Sequence, residues 1–201
     1  MATLSTAPAE VHELIGEVIR EHHPDLAQAG VTVGALMAWA KSGDPVKLHG
    51  YPCAATVKKN SVRDRLEGKP DATITIDSDH WDGLDDRQRA ALIDHELTHL
   101  VPVRIGTIEH KDSEGNVVER EPVWKTDDAG RPVLQMRLHD WQLGGFRAVA
   151  ERHGSAAPEV REWQRANERF RQSVFAWSDD TVPADEPGDL AGALREAAVH
   201  A

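Results

Sequence analysis

Apolar residues recur every third or fourth place at Val11, Leu14, Ile15, Val18 and Ile19, with charged residues between them. That period predicts an amphipathic helix over 9–22, ended at "HHPD" because the residue before a proline is biased away from helix. The pattern then shortens. "VTVGALMAWA" (31–40) and "VKLHGYPCAATVKK" (46–59) are apolar or alternating runs separated by "KSGDP", which predicts two strands paired as a hairpin. "DATITID" (71–77) alternates cleanly, Ala72, Ile74 and Ile76 on one face and Thr73, Thr75 and Asp77 on the other, as a strand with one face on a core should.

From 85 the helical period returns. Asp85 with Gln88 three residues later forms a capping-box pattern, and the helix is expected to run to about Leu100 or Val101, before Pro102. "RIGTIEH", "VVEREPVWK" and "RPVLQMR", separated by the turn-rich "KDSEGN" and "TDDAG", predict a three-stranded meander. A further helix is expected from near His139 to Gly154, and another over 158–177 with Val160, Trp163, Ala166, Phe170 and Val174 as its inward stripe. The acidic, Pro- and Gly-bearing segment 179–201 reads as a loosely held tail, leaving 1–178 as one domain.

Composition narrows what such a domain does. With 23 Lys and Arg against 34 Asp and Glu, the formal charge of -11 disfavours nucleic acid or any partner bound through phosphate neutralisation. The lone Cys53 excludes an internal disulfide framework and a Cys-based zinc cluster, and it agrees with a reducing compartment. No basic region precedes an apolar run at the N-terminus and no membrane-length apolar stretch occurs, so the expectation is a soluble cytoplasmic protein. Richness in Ala, Arg, Asp and Gly suggests a bacterial or bacteriophage genome.

Metal ligands, if present, must then be His, Asp or Glu, and "LIDHELTHLV" (92–101) offers them. At about 100° per residue His95 and His99 lie roughly 40° apart on one helical face and can aim ring nitrogens at one ion. Ala90, Ile93, Leu97, Leu100 and Val101 fall on the opposite, core-facing side. Glu96 flanks the histidine face, where its carboxylate can serve a water without taking a ligand position. Set against this is the plain alternative of a helix face in a chain with 11 histidines.

A catalytic zinc needs a third protein ligand. His139 is the leading candidate, on a face shared with Leu143, Phe146 and Ala150, against the alternative of a core histidine bonded to backbone. Asp140 is an alternative ligand or a carboxylate that orients a liganding imidazole. Glu119, Glu121 and His110, in a solvated charge run, rank below it. His22, His23, His49, His80, His153 and His200 show no ligand spacing and read as surface residues.

Together, "PDATITI", a Trp and then a Leu before "QRAALIDHELTHL", and "HDWQLGGF" followed by "RHG" resemble the phage metallopeptidases over about residues 46–154. That family belongs to the wider zincin group and is similar in style to SprT-like proteases. The resemblance implies a zincin-like α+β fold with a small mixed sheet, a catalytic helix followed by a hairpin, and a His-Asp pair, here His139 and Asp140, at the start of a later helix. It also implies that the strand at 72–77 is a sheet edge above the cleft, open to an extended peptide. Where relatives tend to carry acidic residues after the pair, this chain has Gln142, Leu143, Gly144 and Gly145.

The expected activity is peptide-bond hydrolysis. Zn2+ held by His95, His99 and His139 activates a water, and Glu96 takes its proton and passes it to the leaving amine. Tyr51, the only tyrosine, and Arg137 are candidate oxyanion donors. The competing readings are a metal-stabilised binding or regulatory module without turnover, an SprT-like protease acting on DNA-associated proteins, and an accidental motif in an interaction protein. The positioned Glu96 argues against the first. The acidic charge and the lack of a Cys-X-X-Cys pair argue against the second.

Overall fold

A computed structural model describes residues 2–48, 50–140 and 145–178, with side chains to 169. The expected tail, His49, Gln142, Leu143 and Gly144, His200, and the side chains of Phe170 and Val174 lie outside the described residues. Residues Met1–Arg161 form one compact unit and Glu162–Ala201 a second.

The fold is mixed α+β. The chain opens with β1 (Thr3–Thr6), α1 (Ala9–His22), α2 (Pro24–Gln28), β2 (Val33–Trp39), the two-residue strands β3 (Lys47–Leu48) and β4 (Tyr51–Pro52), and β5 (Ala55–Lys59). It continues through α3 (Val62–Leu66), β6 (Ala72–Asp77), α4 (Ser78–Asp82) and α5 (Asp86–Thr98). Then follow β7 (Leu100–Pro102), β8 (Arg104–Lys111), β9 (Val117–Trp124), β10 (Leu134–Met136), α6 (Arg147–His153) and α7 (Pro158–Ser178). No helix among the described residues is long and apolar enough to cross a membrane.

The main sheet has the order β1-β2-β6-β5. β6 pairs with β2 in parallel and with β5 antiparallel, Ile74 lying opposite both Ala35 and Val57. Two expectations are corrected here. β2 and β5 do not form a hairpin with each other; both flank β6, because the stretch between them is far longer than a hairpin loop and leaves room for a crossover. The strand at 72–77 is therefore interior, and β5 and β1 are the edges.

The inward face of β6, Ala72, Ile74 and Ile76, is fully buried and packs in one core with Val11, Ile15 and Val18 of α1 and with Leu92, Ile93 and Leu97 of α5. Each such aliphatic side chain contributes about 1.5–3 kcal/mol relative to exposure. That core seats α5, which begins on the expected Asp85–Gln88 capping box. The helix stops at Thr98 rather than at 100 or 101, with His99 as C-cap. The next three residues pair with β10, Leu100 opposite Met136 and Pro102 opposite Leu134. Val101 is exposed, and burial on α5 includes the polar Asp94, Glu96 and Thr98, so the core stripe is less separate from the histidine side than the wheel predicts.

The meander is likewise corrected. β8 and β9 form an antiparallel hairpin with every residue of β8 exposed, but the third strand joins β7 and not β9. The helix expected from His139 starts at Arg147; His139 precedes it outside any helix or strand, and the helical spacing of Phe146 and Ala150 to it is coincidental. Its end is as expected, Gly154 taking φ 55°. On α7, Val160 packs against Phe146, Val149 and Ala157, whereas Trp163 is 67% exposed and Ala166 is exposed, so the expected stripe does not hold at those two positions.

Candidate metal centre

α5 presents His95 from its last full turn and His99 from its cap. The β7–β10 ladder brings in the third histidine. One step past Met136, the Arg137 N–H donates to the His99 carbonyl at 2.7 Å, and the His99 Nδ1–H donates back to the Arg137 carbonyl at 2.7 Å. His139 follows two residues later, and its Nε2 lies 3.1 Å from the Nε2 of His95. One ring nitrogen from each of His95, His99 and His139 falls within 4.8 Å of the other two. The fully buried Phe146 floors the cluster, its ring centroid 5.1, 4.7 and 5.1 Å from those of His95, His99 and His139.

The rings are oriented by what their other nitrogens meet. A carbonyl can only accept, so the Arg137 bond places a proton on Nδ1 of His99 and leaves its Nε2 lone pair free. His95 Nδ1 lies 2.7 Å from Glu159 Oε1, which also accepts the Phe146 N–H at 2.9 Å.

The electrostatics separate the three. Burial pushes His95 down, but the bond to Glu159 and the charges of Glu96, Glu159 and Asp94 outweigh it, so its imidazole sits above the usual value. Burial, aided by the charges of His95 and His139, takes His99 down to about 4. His139 is lowered by burial and by His95. The cluster thus holds basic character at His95 and keeps the other two rings neutral and available as donors.

Glu96 is 4% exposed, and burial raises its carboxyl to about 7 against the opposing pull of His95 and of the Val57 backbone N–H, which donates to it from β5. It belongs to α5, the helix that carries His95 and is capped by His99.

Other expected site residues lie differently. Asp140 spends one oxygen on the Arg137 guanidinium at 2.9 Å and the other on the Arg147 N–H at 2.9 Å, so it braces the chain entering α6 and does not meet an imidazole. Arg137 lies over the Phe146 ring at 5.1 Å, beside the cluster. Tyr51 is 77% exposed on β4. His110 pairs with Glu121 on the exposed hairpin.

Two carboxylates were missed. Glu159 occupies the first turn of α7, where an acid reads as a complement to the helix dipole and nothing in its spacing points to His95. Asp94 carried a signal, a charge inside the apolar run 90–97; it is fully buried and accepts from His23 Nε2 at 2.7 Å, His153 Nε2 at 2.8 Å and the Arg152 fork at 2.9 and 2.8 Å. His23 and His153 are accordingly not surface residues.

Three convergent imidazoles are a group that could hold a metal ion, a donor set that fits a divalent transition ion. Residues 3–171 match the family described as Putative phage metallopeptidase, and the chain belongs to that family. A metal ion and a peptide or protein substrate are what membership in a metallopeptidase family implies. No curated protein and no solved structure matches the chain.

Proposed function

We propose that the chain is a zincin-like, zinc-dependent peptidase that hydrolyses peptide bonds with water as the nucleophile. His95, His99 and His139 are the metal ligands, and Glu96 is the general base. The observation that carries this reading is the convergence of three imidazole nitrogens within 4.8 Å next to a buried glutamate. Zinc leads among the divalent ions because an all-imidazole set with an adjacent carboxylate suits it. When bound, such an ion supplies Lewis acidity, polarising a carbonyl and acidifying water.

The chain's own residues do the rest. A carboxyl tuned to about 7 can accept a proton from water and return it to a leaving amine within one cycle, since general acid-base efficiency is greatest near the working pH. The outer edge of β5 takes the place expected for 72–77 as the strand along which an extended substrate backbone would lie. Arg137, already beside Phe146, is better placed than Tyr51 to meet developing negative charge.

The test is metal content and hydrolysis of a denatured protein by the untagged wild type, His95→Ala and Glu96→Gln. About one zinc per chain, lost in His95→Ala and kept in Glu96→Gln with hydrolysis down roughly 10²–10⁴-fold, is the expected result. A wild type that takes up no zinc overturns the reading. Full activity in Glu96→Gln overturns the role of Glu96.

A further inference from the structure

We infer that Glu159 is the positioning residue of the metal centre: its charge, delivered to Nδ1 of His95, fixes which nitrogen of that ring faces the ion and how strongly it donates. This rests on the three-histidine reading above and adds a residue to it.

The geometry is specific. The Glu159 side chain is 1% exposed, and Oε1 is shared between the His95 ring and the Phe146 N–H, so one oxygen ties a ligand to the residue under all three rings. The other oxygen, Oε2, is buried with no hydrogen-bond partner among the described residues. An acid on the first turn of a helix could satisfy the dipole from solvent, and burying a carboxylate with one orphaned oxygen is costly. The position is thus set by what Oε1 does.

Room for it is made by Gly145. A Cβ there would fall on Glu159 Cγ and lie 2.8 Å from its Cδ, so the carboxylate reaches His95 only because residue 145 lacks a side chain.

His95 and His99 are held by unlike groups. A carbonyl orients His99, whereas a carboxylate orients His95. Glu159 approaches the ring from Nδ1, away from the Nε2 that meets His139, which is the place of an orienting group and not of a ligand.

Glu159→Gln separates charge from shape, because the amide oxygen can still accept from Nδ1. Zinc affinity would be measured by competition with a chromogenic chelator, and the imidazole count by X-ray absorption of the zinc-loaded proteins. The expected result is about 10–100-fold weaker zinc binding with three imidazoles retained. Unchanged affinity overturns the inference and leaves the three-histidine reading standing. Loss of one light-atom ligand from the zinc shell in the variant overturns it differently, making Glu159 a ligand. Should the variant fail to fold, nitrogen-15 spectra of the metal-free wild type decide: the inference requires a proton on Nδ1 of His95, and its absence refutes it. No zinc uptake by the wild type sinks the reading and the inference together.

Discussion

Two histidine clusters meet on α5, one residue apart, and chemically they are opposites. At Asp94, His23 and His153 each turn Nε2 onto a fully buried carboxylate that Arg152 also grips from two nitrogens. Every ring nitrogen facing that centre meets an acceptor, and the cluster is complete as protein. At His95 the rings turn toward one another, the Nε2 atoms of His95 and His139 lying 3.1 Å apart. The first arrangement ties helices together. The second brings one nitrogen from each of three rings within 4.8 Å of the others, a group that could hold a metal ion. What a histidine does is decided by what its inward nitrogen meets, and neither count nor spacing records that.

If the comparison is right, the clusters fail differently. Asp94→Ala leaves Arg152 and two imidazoles without their shared anion in a buried place, and should cost about 3–5 kcal/mol in urea unfolding whether or not zinc is present. His99→Ala should change metal-free stability by less than about 1 kcal/mol while abolishing the gain in stability on adding zinc. Equal losses in both variants would erase the distinction.

A smaller effect is expected from acid. Burial pushes the Asp94 carboxyl up, but the bonds from His23 and Arg152 hold it down at about 2, against an ordinary value of 3.8. Because the folded value is the depressed one, its stabilisation is fully present above about pH 4 and drains away as pH falls toward 2. On the order of 2 kcal/mol should be lost over that window, and the loss should be missing from Asp94→Asn. An identical acid profile in the two proteins would show that the carboxylate is not the group responsible. Smallest of all, His22→Ala, whose ring meets His153 only edge-on at 5.7 Å, should shift stability by no more than about 0.5 kcal/mol. A larger loss would extend the Asp94 cluster to a third histidine.

The parts of this molecule legible in the sequence are those set by neighbours along the chain. α1, β6, the capping box of α5 and the β8–β9 turn are local patterns, and each is where the pattern puts it. Pairings between distant segments are not local. The parallel β2–β6 contact and the β7–β10 ladder depend on which partner the core makes available, and adjacency in sequence suggested hairpins instead. The candidate site divides the same way. His95, Glu96 and His99 stand out by spacing, and His139 through the His-Asp pair that the family resemblance implies. Glu159 and Asp94 act through bonds to residues 64 and 71 positions away, which no window of sequence contains.

The short ladder beneath His139 also bears on how such a chain can change. His99 and Arg137, 38 positions apart in sequence, lock each other reciprocally, and the base of the β8–β9 hairpin is closed by backbone bonds from Val103 to Val133, Lys125 to Val103 and Val133 to Lys125. Beyond that clasp the hairpin's β8 is wholly exposed, and its β9 is exposed from Val117 to Glu121. Its length is therefore uncoupled from the distance between the second and third histidines, and doubling such a loop adds only about 0.6 kcal/mol of closure entropy. The hairpin is a detachable module, a place where residues can be gained, lost or exchanged for a tag without retuning the centre that the clasp holds in register.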